Sequence, residues 1–305
     1  MPEPPAPIYR PLTEADVPVT AYIRKAALEG LGREQGRIPQ PWQPSLGGHS
    51  GHLVRTDPAG SWAAEIDGLV VGFAQSFVRG EIWFLAQLFV QPEVHTRGIG
   101  RELLRLAQDY GRRRGARVFA VVASSSPVAQ ALYMRSGMFG IGTGYRVTGA
   151  VSALLALPEP KANRKRVVDC SGWLDRIAEI DRELFGAERR QDHEYYLRPG
   201  PVDHHSFGLT RDGVLEGYGY VDARGWIGPI AASEPDGQRP LLRMAAEYLA
   251  GRGVEEASIW VASLNHVMMS SLLEAGWKSQ PVTYFMSSEP FGRFDRYQPS
   301  GGFLL

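Results

Sequence analysis

The chain repeats itself, and that limits its fold more than any other feature. Asp67-Gly68 followed by Gly72-Phe73 recurs as Asp212-Gly213 followed by Gly217-Tyr218, 145 residues later. Each Asp-Gly pair separates two apolar runs, a strong hairpin signal because such a turn needs positive φ. Leu103-Leu104, Tyr110 and Gly115 recur 138 residues on as Leu241-Leu242, Tyr248 and Gly253. Val122-Ala123-Ser124, Ser126 and Gly137-Met138 recur at an offset of 139 as Val261-Ala262-Ser263, Asn265 and Gly276-Trp277. Order and character hold across each copy, which predicts a duplicated unit. The drop in offset from 145 to 138 shortens the second copy by 7 residues between its hairpin and the next helix.

Each copy reads as a short strand (Ile8 to Arg10; Arg166 to Asp169) and a helix (Ala15 to Leu28; Trp173 to Phe185). A polar segment, the hairpin, a strand, a helix, a strand, a short helix and a final strand follow. Leu103, Leu104, Ala107 and Tyr110 fall at helical spacing over Arg101 to Arg114, with Gly115 as C-cap. Pro158, Pro160 and the charged run Lys161 to Arg166 read as the linker. The expected class is mixed α/β (α+β), with domains at 1–157 and 158–305, each a twisted mixed sheet flanked by helices. Residues Gly30 to Pro58 read as a long loop rich in Gly, Pro, His and Gln.

The 33 basic and 33 acidic residues cancel, leaving no charge footprint for nucleic acid or an anionic membrane. The single cysteine, Cys170, excludes an internal disulfide framework and fits a cytoplasmic location. The amino terminus has neither a basic nor an apolar signal region, and no apolar run approaches a membrane span. Nucleic acid and membrane are therefore not expected partners, and a monomer or homodimer is expected.

The richest stretch runs from Ile82 to Val90 as a buried strand, turns at Pro92, and enters a helix through His95-Thr96-Arg97-Gly98-Ile99-Gly100-Arg101. Gly98 and Gly100 let backbone N–H groups converge and let a ligand approach the main chain. The helix adds its positive end, which suits a pyrophosphate, and Arg97 and Arg101 can add charge-assisted contacts.

His95-x-x-Gly98-x-Gly100, five residues beyond Val90, resembles the pyrophosphate loop of the GNAT superfamily of acyl-CoA-dependent N-acyltransferases. Ser126-x-x-Ala129-x-x-Leu132-Tyr133-x-x-x-Gly137-Met138 resembles the family's second motif, and Arg10-Pro-Leu-Thr-Glu-Ala-Asp16 its usual opening. The resemblance covers nearly all of the first half and, more weakly through the repeat, the second. It implies tandem GNAT-type domains and an N-acetyltransferase moving an acetyl group from acetyl-CoA to a primary amine, on a small molecule or peptide terminus, by direct attack in a ternary complex. Acetyl-CoA is the co-substrate, and no metal is expected. Leu88, Phe89 and Val90 would pair with the pantetheine arm, and the N–H near Leu88 would polarise the thioester carbonyl. Tyr133 would protonate the departing thiolate. His95, Thr96, Arg97, Gly98, Ile99, Gly100, Arg101 and Ser126 complete the cofactor set. His95 and Ser126 depart from the usual Gln or Arg and Asn. Phe84 stands where some members carry a Glu base, so Glu81, just before the strand, is the candidate base, acting through a water, although an exposed Glu at a strand start is the favoured plain reading.

The second copy reads Gly228-Pro-Ile-Ala-Ala-Ser-Glu-Pro-Asp-Gly-Gln-Arg-Pro240 where the loop should be. Pro229, Pro235 and Pro240 lack donors, Glu234 and Asp236 would repel a pyrophosphate, and Leu272-Leu273 stand opposite Leu132-Tyr133. A degenerate second domain is expected. Other candidates have plainer readings. His49-x-x-His52 has metal-clamping spacing but lacks a Cys or acidic partner, so a solvent-facing pair or acceptor contact is favoured. Trp42 and Trp83 read as pocket or core, and His204-His205 as a titrating pair or a turn. Arg112, Arg113, Arg114 and Arg117 read as a solvated helix end or a site for the CoA 3′-phosphate, and Tyr110 and Tyr248 as core. The alternative function is a non-catalytic acyl-CoA-binding or regulatory module; acyl transfer to a hydroxyl is a further option.

Overall fold

Asp67 and Asp212 are the two non-glycine residues with positive φ among the described residues, at 50° and 51°, and glycines at 78° and 81° follow them. Both central positions of each turn are thus left-handed, as a tight hairpin between right-twisted strands requires. In this computed structural model residues 5–36, 48–94, 98–158, 164–200, 202–280 and 283–304 are described. They form two compact units, Met1–Val121 with Ser126–Ser136, and Val122–Ser125 with Gly137–Leu305.

In the first unit, β1 (Ile8–Pro11), α1 (Val17–Glu34) and α2 (Gly48–Thr56) precede β2 (Ser61–Ile66), β3 (Leu69–Arg79) and β4 (Ile82–Val90). α3 (Ile99–Arg113), β5 (Val118–Ala123) and α4 (Pro127–Arg135) follow. The strands neighbour one another in the order β1-β2-β3-β4-β5, antiparallel except for the parallel pair β4–β5. Part of the expected loop from Gly30 to Pro58 is helical: α1 runs on to Glu34 and α2 follows. Arg10 explains the opening motif. Its guanidinium reaches Asp16 through two nitrogens at 2.8 and 2.9 Å and Glu65 at 2.8 Å, joining β1, β2 and the start of α1. α3 buries Ile99, Leu103, Leu104, Ala107 and Tyr110, the stripe that its 3.6-residue period predicts. Tyr110 donates to Asp57 at 2.7 Å.

The second unit takes in β6 (Phe139–Ala150) and α5 (Val151–Ala156), then β7 (Lys165–Val167), α6 (Leu174–Leu184) and α7 (Arg190–Leu197). β8 (His204–Arg211), β9 (Val214–Asp222), β10 (Trp226–Ala232), α8 (Gln238–Gly251), β11 (Glu256–Ala262) and α9 (His266–Glu274) repeat the order β2 to α4. β12 (Lys278–Ser279), β13 (Thr283–Ser287) and β14 (Tyr297–Gln298) complete the chain's elements. The sheet order is β13-β6-β11-β10-β9-β8-β7, with β12 on β6 and β14 on β10. β6 comes from the first repeat by sequence, yet it pairs with β11 along seven residues, from Ala150 opposite Glu256 to Gly144 opposite Ala262. Val147, Val151 and Leu154 sit in one core with Leu241, Leu242, Ala245 and Ile259. The compact units therefore part near Ser136, earlier than the end of the sequence repeat, because β6 and α5 bury their apolar faces in the second core. No helix among the described residues is long and apolar enough to cross a membrane.

Candidate active site

β4 divides at Ala86. Its antiparallel register with β3 pairs Ser76 with Leu85 and then Gln75 with Gln87, so Ala86 is an extra residue, a β-bulge. Bulges bend and twist the strand that carries them. The parallel register with β5 ends at Leu85 opposite Val121, one residue before the bulge. Beyond it β4 continues along β3 alone, with Ala74, Phe73 and Gly72 opposite Leu88, Phe89 and Val90. Leu88, Phe89 and Val90 are half-buried, whereas Ile82 to Gln87 are buried. The parting of β4 from β5 beyond Leu85 thus has a local cause.

At the end of this strand α3 begins. Gly98 is its N-cap, left-handed at φ 76°, where a side chain would be strained. Glu102 N–H donates to Gly98 O at 3.1 Å, so the amides of Ile99, Gly100 and Arg101 precede the first intrahelical bond, and Gly98 has no side chain to cap them. Ile99 anchors the turn in the core. Gly72 lets the strand and helix meet, since a Cβ there would lie 3.2 Å from Phe89 O and 3.4 Å from Ile99 Cγ2. An uncapped helix start beside a splayed strand fits a pyrophosphate with a thread-like arm attached. A Cβ at Gly98 would lie 3.4 Å from Arg101 Nη2, and one at Gly100 3.8 Å from Val90 Cγ2. His95, Thr96 and Arg97 lie outside the described residues, as does Trp42.

Tyr133 is buried on α4, and burial pushes its phenol well above the usual tyrosine range. It therefore keeps its proton at neutral pH, as a proton donor must. Ser126 is the N-cap of α4, its Oγ accepting from Ala129 N–H at 3.4 Å, and Asn265 caps α9 in the same way at 3.1 Å. That shared position has a structural task in both repeats. Glu81 does not fit the role of base. It is exposed, pairs with Arg117 at 3.2 Å, and precedes β4. Seven residues of strand separate it from Leu88, about 23 Å at roughly 3.3 Å per residue. Phe84 is buried against Phe77, with ring centroids 5.4 Å apart.

A polar cluster that the motifs did not indicate adjoins the bulge. Gln87 Nε2 donates to Ser50 Oγ and to Gln75 Oε1, each at 2.8 Å. Gln87 Oε1 accepts from Arg24 Nη1 at 3.1 Å, and Gln75 Nε2 donates to Ser50 O at 3.0 Å. Gln75, Gln87 and Ser50 are all buried. Two buried glutamines, Gln75 on β3 and Gln87 in the otherwise apolar β4, were the available signal.

The remaining candidates are structural. Trp83 is buried and donates to Ala107 O at 2.9 Å. Arg112 pairs with Asp109 at 2.9 Å, and the arginine run closes α3 at the end remote from Gly98. His52 is buried in α2. His205 stacks on Tyr248 at 4.3 Å, and His204 meets the edges of Tyr195 and Tyr196.

The second unit repeats the geometry with the opening filled. β10 is bulged, Ile227 pairing with Val221 and then Ile230 with Gly219. Its parallel register with β11 ends at Ile227 opposite Ile259. Beyond that, β14 lies antiparallel to β10, with Ile230 opposite Gln298 and Ala231 opposite Tyr297. Ala232 N–H donates to Arg296 O at 3.1 Å, and the Gln298 amide donates to Trp260 O on β11. At the start of α8, Gln238 donates to Asp295 O at 2.9 Å and accepts from Asn265 at 2.6 Å. The match of Leu273 to Tyr133 needs correction. The two caps set the offset at 139, which places Leu272 opposite Tyr133; Leu272 is buried like Tyr133, and Leu273 is exposed.

Residues 28–138 match the sequence model of the Acetyltransferase (GNAT) family. Aminoglycoside N(6')-acetyltransferase type 1 of Salmonella typhimurium is 30% identical over 77 residues, 22% of this chain and 53% of that protein; the Salmonella enteritidis protein matches equally. The chain thus spans about half the length of the curated relatives it matches. Among solved structures, a candidate acetyltransferase of Pyrococcus horikoshii superposes with a TM-score of 0.75 at 21% identity, over 98% of this chain and 96% of that one. A tandem GNAT protein from the clavulanic acid biosynthesis pathway gives 0.64 at 19% identity, covering 93% and 99%. A GCN5-related N-acetyltransferase of Sphaerobacter thermophilus gives 0.63 at 18%, covering 93% and 96%.

Proposed function

From the premise that this chain has the mixed α/β fold of GNAT acetyltransferases, we propose that it transfers an acetyl group from acetyl-CoA to a primary amine, and that the first repeat does so. The observation that carries this reading is the bulge at Ala86. It opens β4 from β5 beside the uncapped start of α3, inside the segment matched by the family. The amides of Ile99, Gly100 and Arg101 would hold the pyrophosphate, together with His95, Thr96 and Arg97 of the same loop. The edge from Leu88 to Val90 would pair with the pantetheine arm. A thioester is already activated, so the chain must hold the amine near it and stabilise the oxyanion. The neutral amine nitrogen attacks the carbonyl carbon, the Leu88 N–H stabilises the resulting oxyanion, and the C–S bond breaks as Tyr133 gives its proton to the thiolate; the proton lost by the nitrogen returns through water to the phenolate, leaving amide and free CoA thiol.

The repeats 1–157 and 158–305 are read as tandem GNAT-type copies, the second without a cofactor site. Two features support this. β14 lies on β10 where the arm would run, and Pro240, in the first turn of α8, lacks a donor. One equivalent of acetyl-CoA per chain is expected by calorimetry. A screen of amines, aminoglycosides among them, should then find acceptors that release free CoA thiol. The apolar residue at Phe84 favours one other reading, a non-catalytic acyl-CoA-binding module. Stoichiometric binding with no thiol release from any amine would decide for it, and two equal sites would overturn the asymmetry.

A further inference from the structure

Gln87 stands between the bulged Ala86 and Leu88, and its side chain is the one that fastens the bulge. Both amide hydrogens and the carbonyl oxygen are engaged, to Ser50 on α2, Gln75 on β3 and Arg24 on α1. A bulge is otherwise held only by the ladder it interrupts, and here the ladder to β5 has already ended at Leu85. Three neighbouring elements thus converge on the residue that precedes Leu88 in the chain. A buried polar network with every member satisfied fixes one geometry, and loses it when one member is removed.

We propose that Gln87 is a positioning residue: through Arg24, Ser50 and Gln75 it sets the pitch of β4 after the bulge and so aims the Leu88 N–H at the thioester carbonyl. The inference rests on the proposed reading of Leu88. Gln87 touches neither substrate, and its effect travels through one peptide unit. Displacing an oxyanion donor by about 1 Å is enough to cost up to about a hundredfold in rate, while the pyrophosphate contacts at the start of α3 are untouched. Loss of Gln87 should therefore lower turnover and spare acetyl-CoA affinity.

The test reads the carbonyl directly. Acetyl-CoA labelled with carbon-13 at the thioester carbonyl is bound to the wild-type chain, and the C=O stretch is followed by difference infrared spectroscopy. Donation from an N–H lowers that frequency. In Gln87→Leu the band should return most of the way to its position in water, with acetyl-CoA affinity within about threefold of wild type and thiol release down by about tenfold or more. A purely structural role would lower the melting temperature and leave the band of the folded variant at the wild-type position; that result overturns the proposal. If Gln87→Leu does not fold, Gln87→Glu takes its place. It keeps the shape and an acceptor for Arg24 but removes both donors, and it should shift the band part of the way. An unshifted band in Gln87→Glu counts against the proposal in the same way. If wild type binds no acetyl-CoA, or binds it with no band shift, the failure lies in the placement of the site on β4 rather than in the role of Gln87.

Discussion

Tyr133 carries the most direct chemical prediction. Its burial raises the phenol's pKa, so the hydroxyl stays protonated through the neutral and mildly alkaline range. Tyr133→Phe should reduce turnover by roughly a hundredfold with acetyl-CoA affinity near normal. The ratio to wild type should stay constant between about pH 6 and pH 9, because the raised value lies above that window. A ratio that collapses toward one as pH rises there would mean that the phenol titrates within it. Sequence spacing singles out Tyr133 by a local relation, seven residues or about two helical turns beyond the Ser126 cap of α4. Glu81 is exposed, as the plainer reading of a Glu at a strand start has it, and seven residues of extended strand lead from it to Leu88. Sequence spacing did not indicate Gln87, whose partners Ser50, Gln75 and Arg24 lie up to 63 residues away and meet only through the fold.

At the scale of elements, the hairpins and α3 were legible because their signals are local: Asp-Gly at two left-handed positions, and an apolar stripe of helical period. The bulge at Ala86 was not. It is a mismatch between two strands, and neither strand alone records it. β14 was hidden for a similar reason, since two residues have no period. The start of α3 yields a paired prediction. Gly98 is held at φ 76°, whereas a methyl at Gly100 would make an ordinary contact at 3.8 Å from Val90. Gly98→Ala should cost about 1–2 kcal/mol of backbone strain and weaken acetyl-CoA binding about tenfold or more as the cradle deforms. Gly100→Ala should leave the melting temperature close to wild type and affect binding less. Calorimetry and thermal melts on the pair check this, and equal effects would show that the left-handed cap is not what shapes the cradle.

For the whole molecule, the duplication was readable and the packing was not. The offsets 145, 138 and 139 point to two copies, and the element order from β2 to α4 recurs from β8 to α9. Where a copy begins in sequence says little about which core its last strand joins, because β6 is placed by its ladder with β11 and by Val147 in the second core rather than by a strong apolar pattern of its own. β6 lies between β13 and β11, so the second unit takes in a strand that precedes residue 158. Production of the molecule as two polypeptides makes the point testable. A piece comprising 158–305 lacks the strand that joins β12 and β13 to β11 and should be insoluble or unfolded alone. Co-expression with 1–157 should recover it as a stable, co-purifying pair. A soluble, cooperatively melting 158–305 would show that the strand is dispensable. The cut that looks most natural on paper would strip β11 of a neighbouring strand along seven residues, so a boundary drawn from sequence likeness can leave an edge that the folded chain never exposes.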